Sequence, residues 1–176
     1  MSEATTAAPL VVVMGVSGSG KSTIGLLVAD ALGVPFIDGD SLHPIGNVTK
    51  MAAGTPLTDE DRWPWLALVG EALADAAETG LVVACSALKR AYRDAILAEA
   101  PGAVFLHLSG SREVLSARLE GRSGHFMPIS LLDSQLATLE ELTDDEPRVV
   151  VDVGAAVPTV VERAVDGIRE RNPVLS

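Results

Sequence analysis

The chain has 176 residues, 48% of them hydrophobic, 21% charged and 3% aromatic, with 24 acidic against 13 basic side chains and a formal net charge of −11. That length suits one domain able to bury roughly 70% of its unfolded surface without metal or disulfide staples, and the composition argues against disorder. The acidity and the scarcity of aromatics argue against a nucleic-acid platform or an anionic-membrane surface, and the single Cys85 forbids an internal disulfide or a cysteine zinc site.

Residues 1–9 lack the basic start and apolar stretch of a signal peptide and read as a flexible lead-in to one domain over 10–176. The apolar runs are far shorter than the ~20 residues that span a bilayer, so the cytoplasm is the default compartment. Leu10–Met14 reads as a buried strand and Ser22–Leu32 as a helix stopped by Gly33. Pro35–Ile37, Leu81–Cys85, Ala103–Leu108 and Arg148–Val151 read as further strands. Helical patterns lie between them at Arg62–Glu78, Lys89–Glu99, Arg112–Leu119 and Ile129–Leu142, and at Val157–Arg171 after the last strand. Thr58 and Asp61 have capping-box spacing ahead of the first of these, and Pro64 blurs its start. Strand–helix alternation with continuously apolar strands predicts an α/β fold, a parallel sheet covered on both faces. Ligands in such sheets bind beyond the carboxyl ends of the strands.

The first strand runs into Gly15-Val16-Ser17-Gly18-Ser19-Gly20-Lys21-Ser22, which fills every fixed position of G-x-x-x-x-G-K-[ST]. Such a loop turns its N–H groups onto phosphate, and the helix after it presents its positive end to the same anion. Lys21 can reach the outer phosphates of ATP, and the Ser22 hydroxyl can ligate Mg2+. Thr23 stands where a dinucleotide fingerprint needs its third glycine. No guanine-reading N-K-x-D motif is present, and the third strand ends Ala84-Cys85-Ser86 without an acid for Mg2+. Asp152 ends the last strand and reads as an ordinary strand-end residue.

The second strand leads into Asp38-Gly39-Asp40, with Ser41, Leu42, His43 and Pro44 behind it. Asp38 is placed to support the Mg2+ shell through water, and Asp40 could accept a proton from a substrate hydroxyl. The competing reading is a turn with helix-capping acids. Lys50 and Arg62 could meet an anionic substrate or pair with local acids, and the two tryptophans, Trp63 and Trp65, read as packing. Lys89 and Arg93, one helical turn apart, share a face that could look into the cleft or into solvent. Arg118 and Arg122, with Gly121 and Gly124 close by, suit a lid over phosphates, expected at about 119–129; a surface helix end is the competing reading. His125 could reach substrate or pack with Phe126 and Met127. So many basic residues in these motifs predict a locally positive cleft inside an acidic protein.

Blocks far longer than the phosphate loop then resemble one family: GVSGSGKST at Gly15–Thr23, DGDSLHP at Asp38–Pro44, NVTKMAAGTPLTDEDRWPWL at Asn47–Leu66, CSALKRAYRD at Cys85–Asp94 and HFMPISLLDSQLATLE at His125–Glu140. In these the chain resembles the small P-loop gluconate kinases, relatives of shikimate kinase and the nucleoside monophosphate kinases. The resemblance implies a three-layer fold with strand order 2-3-1-4-5, a substrate-binding insertion at about 41–79, a mobile lid and a homodimer. It implies transfer of phosphate from ATP to the 6-hydroxyl of D-gluconate. Asp40 falls where the acceptor hydroxyl is held, Arg62 where its carboxylate could be held, Arg118 over the adenine and Arg122 at the phosphates. His43, Lys50, Lys89, Arg93, His125 and Gln135 lie in the matched blocks as further substrate-binding candidates. The rival readings are a kinase for another small polar acceptor, such as shikimate, and a nucleotide-responsive binding protein without chemistry.

Overall fold

Strands apolar at every position need cover on both faces, and the chain supplies it. The computed structural model describes residues 8–120 and 129–171. Five strands, β1 (Leu10–Met14), β2 (Phe36–Asp38), β3 (Leu81–Ala84), β4 (Val104–Ser109) and β5 (Arg148–Asp152), form one parallel sheet in the order β2-β3-β1-β4-β5. Every residue of the central β1 is buried. Val11 and Val13 face a layer in which α1 (Lys21–Leu32) and α7 (Val157–Arg171) contribute Ile24, Val28, Val160, Ala164 and Ile168. Val12 and Met14 face the opposite layer, formed by Trp65, Leu66, Val69 and Leu73 of α3 (Asp59–Asp75) with Tyr92 and Ile96 of α4 (Arg90–Glu99). Successive side chains of a strand point to opposite faces, so a run of valines satisfies both layers at once.

The bounds of β1 and α7 are those expected from the pattern; β3 and β5 differ by one residue at one end, and β2 and β4 are shifted by one residue at both ends. The helix expected from Arg62 starts three residues earlier. Thr58 Oγ1 accepts from Asp61 N–H while Asp61 Oδ2 accepts from Thr58 N–H, and this capping box outweighs the interruption by Pro64. The helix expected to reach Leu142 ends as α6 (Ile129–Thr138), because Glu140 N–H turns to Leu88 O at 2.8 Å. α2 (Ile45–Ala52) was hidden in the sequence because its pattern is inverted: Ile45, Val48 and Met51 face solvent, while Asn47 is buried. α5 (Arg112–Glu120) completes the set.

In a parallel sheet the carboxyl ends of β1, β2 and β3 lie along one edge. Gly15 N–H donates to Ser86 O at 3.3 Å, and Trp65 Nε1–H of α3 donates to Gly39 O at 2.8 Å. The first bond ties the loop after β1 to the loop after β3, and the second ties the loop after β2 to α3.

Candidate active site

The loop after β1 folds as an anion cradle. Gly18 and Gly20 have φ of 85° and 89°, which side-chain-bearing residues rarely adopt, and Gly20 caps α1 with no side chain closing the helix start. The first N–H groups of α1 therefore stay open to an anion. Ser19 and Val16 turn inward: Ser19 is fully buried and its Oγ donates to Val16 O at 2.7 Å. Lys21 Nζ donates to the same carbonyl at 3.1 Å. Ser17 N–H donates to Gln135 Oε1 of α6 at 2.6 Å.

One cavity joins this cradle to the ends of β2 and β3. Ser17, Gly18, Gly20, Lys21, Ser22, Asp38, Asp40, Ser86 and Gln135 line it, with Cys85 at its wall. Burial pushes the Cys85 thiol up to about 12, so it stays protonated and unreactive. Ser22 Oγ donates to Asp38 Oδ2 at 3.3 Å, and Asp38 Oδ1 accepts from Asp40 N–H at 3.0 Å. Asp38 is thus fixed by the loop that carries it, whereas the Asp40 side chain is 83% exposed and faces the open site. Ser22 and Asp38 present two hard oxygens beside the cradle, a donor set that suits Mg2+ completed by phosphate oxygens and water. No group of three metal-binding side chains occurs among the described residues.

Beyond Asp40 the cavity gives way to a network of α2, α3 and α4. His43 stacks on Trp65 with ring centroids 4.0 Å apart. Asn47 Nδ2 donates to Asp61 O at 2.9 Å and lies 3.2 Å from His43 Nδ1. That nitrogen is therefore an acceptor, and the ring proton sits on Nε2, 4.0 Å from Asp40 Oδ1. Burial holds the His43 pKa below its usual value, against the pull of Asp40. Lys50 reaches Asp61 at 2.7 Å; that hydrogen bond and the Thr58 amide hold the Asp61 carboxyl at about 2. Arg62 and Lys89 both approach Asp59, at 3.7 and 3.9 Å, and Tyr92 OH donates to Asp59 at 2.6 Å. Burial and that bond push the Tyr92 phenol up to about 12.

The expected cationic cleft is therefore partly neutralised within the chain: Lys50 pairs with Asp61, while Arg62 and Lys89 share Asp59. Arg93 does not share the cleft with Lys89. It is fully buried and pairs with Glu146 at 2.6 Å, and its other N–H groups donate to the carbonyls of Ala87, Leu88 and Glu140. Its role is to anchor the loop that carries Ser86 and Lys89, among whose residues Ala87 has a φ of 45°. Asp59 and Tyr92 were not singled out in the sequence, although each lies three residues from an expected cation on the same helix or its cap. Arg118 lines a second, smaller pocket with Gly18, Gly20, Thr23, Ile24 and Val157, and its guanidinium donates to Val153 O. Arg122, His125 and most of the expected lid lie outside the described residues. Asp152, at the end of edge strand β5, accepts from Gly154 N–H at 2.6 Å.

Comparison with known proteins agrees with this geometry. The family model described as shikimate kinase matches residues 17–150. A gluconokinase of Gluconobacter oxydans is 51% identical over 152 residues, 85% of each chain. The thermosensitive gluconokinase of Escherichia coli is 47% identical over 156 residues, covering 86% of this chain and 83% of its own. The crystal structure of a gluconokinase from Sinorhizobium meliloti superposes with a TM-score of 0.86 at 50% identity, covering 96% of this chain and 95% of its own.

Proposed function

The chain belongs to the gluconokinase family, within the shikimate kinase-type P-loop kinases, and we propose that it carries the γ-phosphoryl group of ATP to the 6-hydroxyl of D-gluconate. The observation that supports this most directly is the single cavity in which the cradle, Lys21, Ser22, Asp38 and Asp40 converge. In this reading the triphosphate lies across Gly15–Thr23, and Lys21 exchanges the Val16 carbonyl for the outer phosphates. Ser22 would hold the metal, with Asp38 supporting it through water. Magnesium, when bound, neutralises the charge that develops on the phosphate oxygens. The adenine lies against Arg118 and Val157.

Gluconate enters from the α2–α3 side. Its carboxylate meets Arg62 and Lys89, and its far hydroxyl meets Asp40; His43, Lys50 and Gln135 border the chain between them. A bond forms between O6 and the γ-phosphorus as the bond from that phosphorus to ADP breaks, and the hydroxyl proton passes to Asp40. Such transfer has a loose transition state, so positioning matters more than the strength of the base. Arg122 and His125 lie outside the described residues; by the family resemblance Arg122 would add positive charge at the transferring group and His125 would bind substrate. Of the further parts of the reading, the homodimer rests on the family resemblance, magnesium on the paired Ser22 and Asp38 oxygens, and the cytoplasmic compartment on the sequence pattern alone. No helix among the described residues is long and apolar enough to cross a membrane.

Acceptor-dependent ADP release tests the assignment. D-Gluconate is expected to stimulate it far more than shikimate or other sugar acids. Preference for another acceptor redirects the assignment to a sister kinase, and ATP binding without any acceptor-stimulated release points to the binding-protein alternative.

A further inference from the structure

Asp59 stands against two cations, Arg62 and Lys89. It opens α3, with Arg62 one turn on, and its Oδ1 accepts from Tyr92 OH at 2.6 Å. Arg62 Nη1 lies 3.7 Å from Oδ1 and Lys89 Nζ lies 3.9 Å from Oδ2. Both cations also sit 5.6 Å from the centre of the Tyr92 ring, so α3 and α4 with its cap bring them to one point. At those distances they are paired with Asp59 electrostatically but do not hydrogen-bond to it; Arg62 Nη1 donates instead to Leu57 O at 3.0 Å and Tyr92 OH at 3.5 Å, which leaves Arg62 Nη2 and Nε and the Lys89 ammonium for a second carboxylate. The three side chains are 42%, 32% and 37% exposed, so a ligand can reach them.

We propose that Asp59 is a resident counter-ion of the acceptor-carboxylate site, which holds Arg62 and Lys89 together before the sugar acid arrives and then shares them with it. This rests on the reading of Arg62 and Lys89 as carboxylate anchors. Two cations and one anion leave a single net positive charge, matched to a monoanionic acceptor. Without Asp59 the two cations would repel each other and attract anions of any charge more strongly. Asp59 is thus a specificity-determining residue that gives up affinity for discrimination, while the phenol of Tyr92 keeps it from swinging away.

The test compares Asp59→Asn with the parent enzyme. The gluconate KM is expected to fall about fivefold, the scale of one half-exposed ion pair. The ATP KM should stay within twofold. Inhibition by glucarate, a diacid without a terminal hydroxyl, should strengthen by a larger factor than the gluconate KM falls. Inhibition by sorbitol, the neutral hexitol, should not move. A gluconate KM that is unchanged or raised, or equal shifts for gluconate and sorbitol, overturns the proposal. Asp59→Ser, which keeps a polar helix start, is read in the same way should the asparagine variant misfold. Arg62→Ala separates the two levels. An unchanged gluconate KM in that variant removes the anchor reading and the proposal with it. A raised KM there, beside an unresponsive Asp59→Asn, refutes the role of Asp59 alone.

Discussion

Gly39 separates the two carboxylates of the site, and replacing it with alanine tests whether their position matters. A Cβ at residue 39 would lie 2.5 Å from Ala84 O and 3.4 Å from Cys85 Cβ. An unstrained C···O contact is about 3.3 Å, so relief requires a shift of about 0.8 Å. Ala84 is held in β3, which pairs with β1 on one side and β2 on the other, so the shift falls on the turn that bears Asp38 and Asp40. That turn is also pinned by Trp65 Nε1 on Gly39 O and by Ser41 Oγ on Asp38 O, both of which strain as it moves. Overpacking of this kind costs about 1–3 kcal/mol, which lowers the melting temperature by roughly 2–4 °C per kcal/mol in a chain of this size. A misplacement approaching 1 Å at the reacting centre costs on the order of 10²-fold in rate. Steady-state ADP release at saturating ATP and gluconate, measured beside a thermal melt, should therefore show kcat lowered by about ten- to a hundredfold in a protein that still folds. A folded Gly39→Ala enzyme with kcat within twofold of the parent refutes the claim that this turn positions the chemistry.

Asp40→Asn should lower kcat by roughly 10²–10⁴-fold while leaving the ATP KM nearly unchanged; a variant that loses only ATP affinity would reassign Asp40 to the nucleotide. Arg93→Met should lower the unfolding free energy in urea by about 3–5 kcal/mol, because it strands the Glu146 carboxylate, and Arg93→Met with Glu146→Leu should recover much of the loss. Burial raises the Glu146 pKa, but the Arg93 hydrogen bond and the Thr143 amide prevail and hold it below its usual 4.5. A depressed carboxyl contributes stability above its unfolded pKa and loses it as the pH falls through the folded value. Glu146→Gln should therefore be least stable relative to the parent above pH 4.5, and the difference should shrink in more acid solution. An undiminished difference at low pH would show that ionisation of Glu146 is not its source.

The sheet and the cradle were legible because local pattern determines both. Valine runs covered on two sides give strands to within a residue, and G-x-x-x-x-G-K-S before a helix has one structural use. Asp38 and Asp40 were legible because they follow a strand at the ligand-binding edge. Arg93 was misread because its partner Glu146 is 53 residues away and no spacing connects them. The fourfold offset from Lys89 placed both on one side of the chain's turn, yet Lys89 lies outside α4 as its cap, and that position sends the two side chains apart. α2 was missed because its apolar residues face outward, a pattern that core-facing periodicity does not report. The partial neutralisation of the cleft was hidden for a related reason. Asp59 and Asp61 are helix-start acids, and both also turn their oxygens toward the cations of the neighbouring elements.

The central claim is that this cavity joins ATP to the terminal hydroxyl of gluconate. Phosphorus NMR of the product formed from ATP, magnesium and D-gluconate tests it most directly. Stoichiometric ADP is expected, with a phosphomonoester whose phosphorus couples to the two protons on carbon 6. A phosphate on any other carbon, or ADP with free inorganic phosphate and unmodified gluconate, would contradict it.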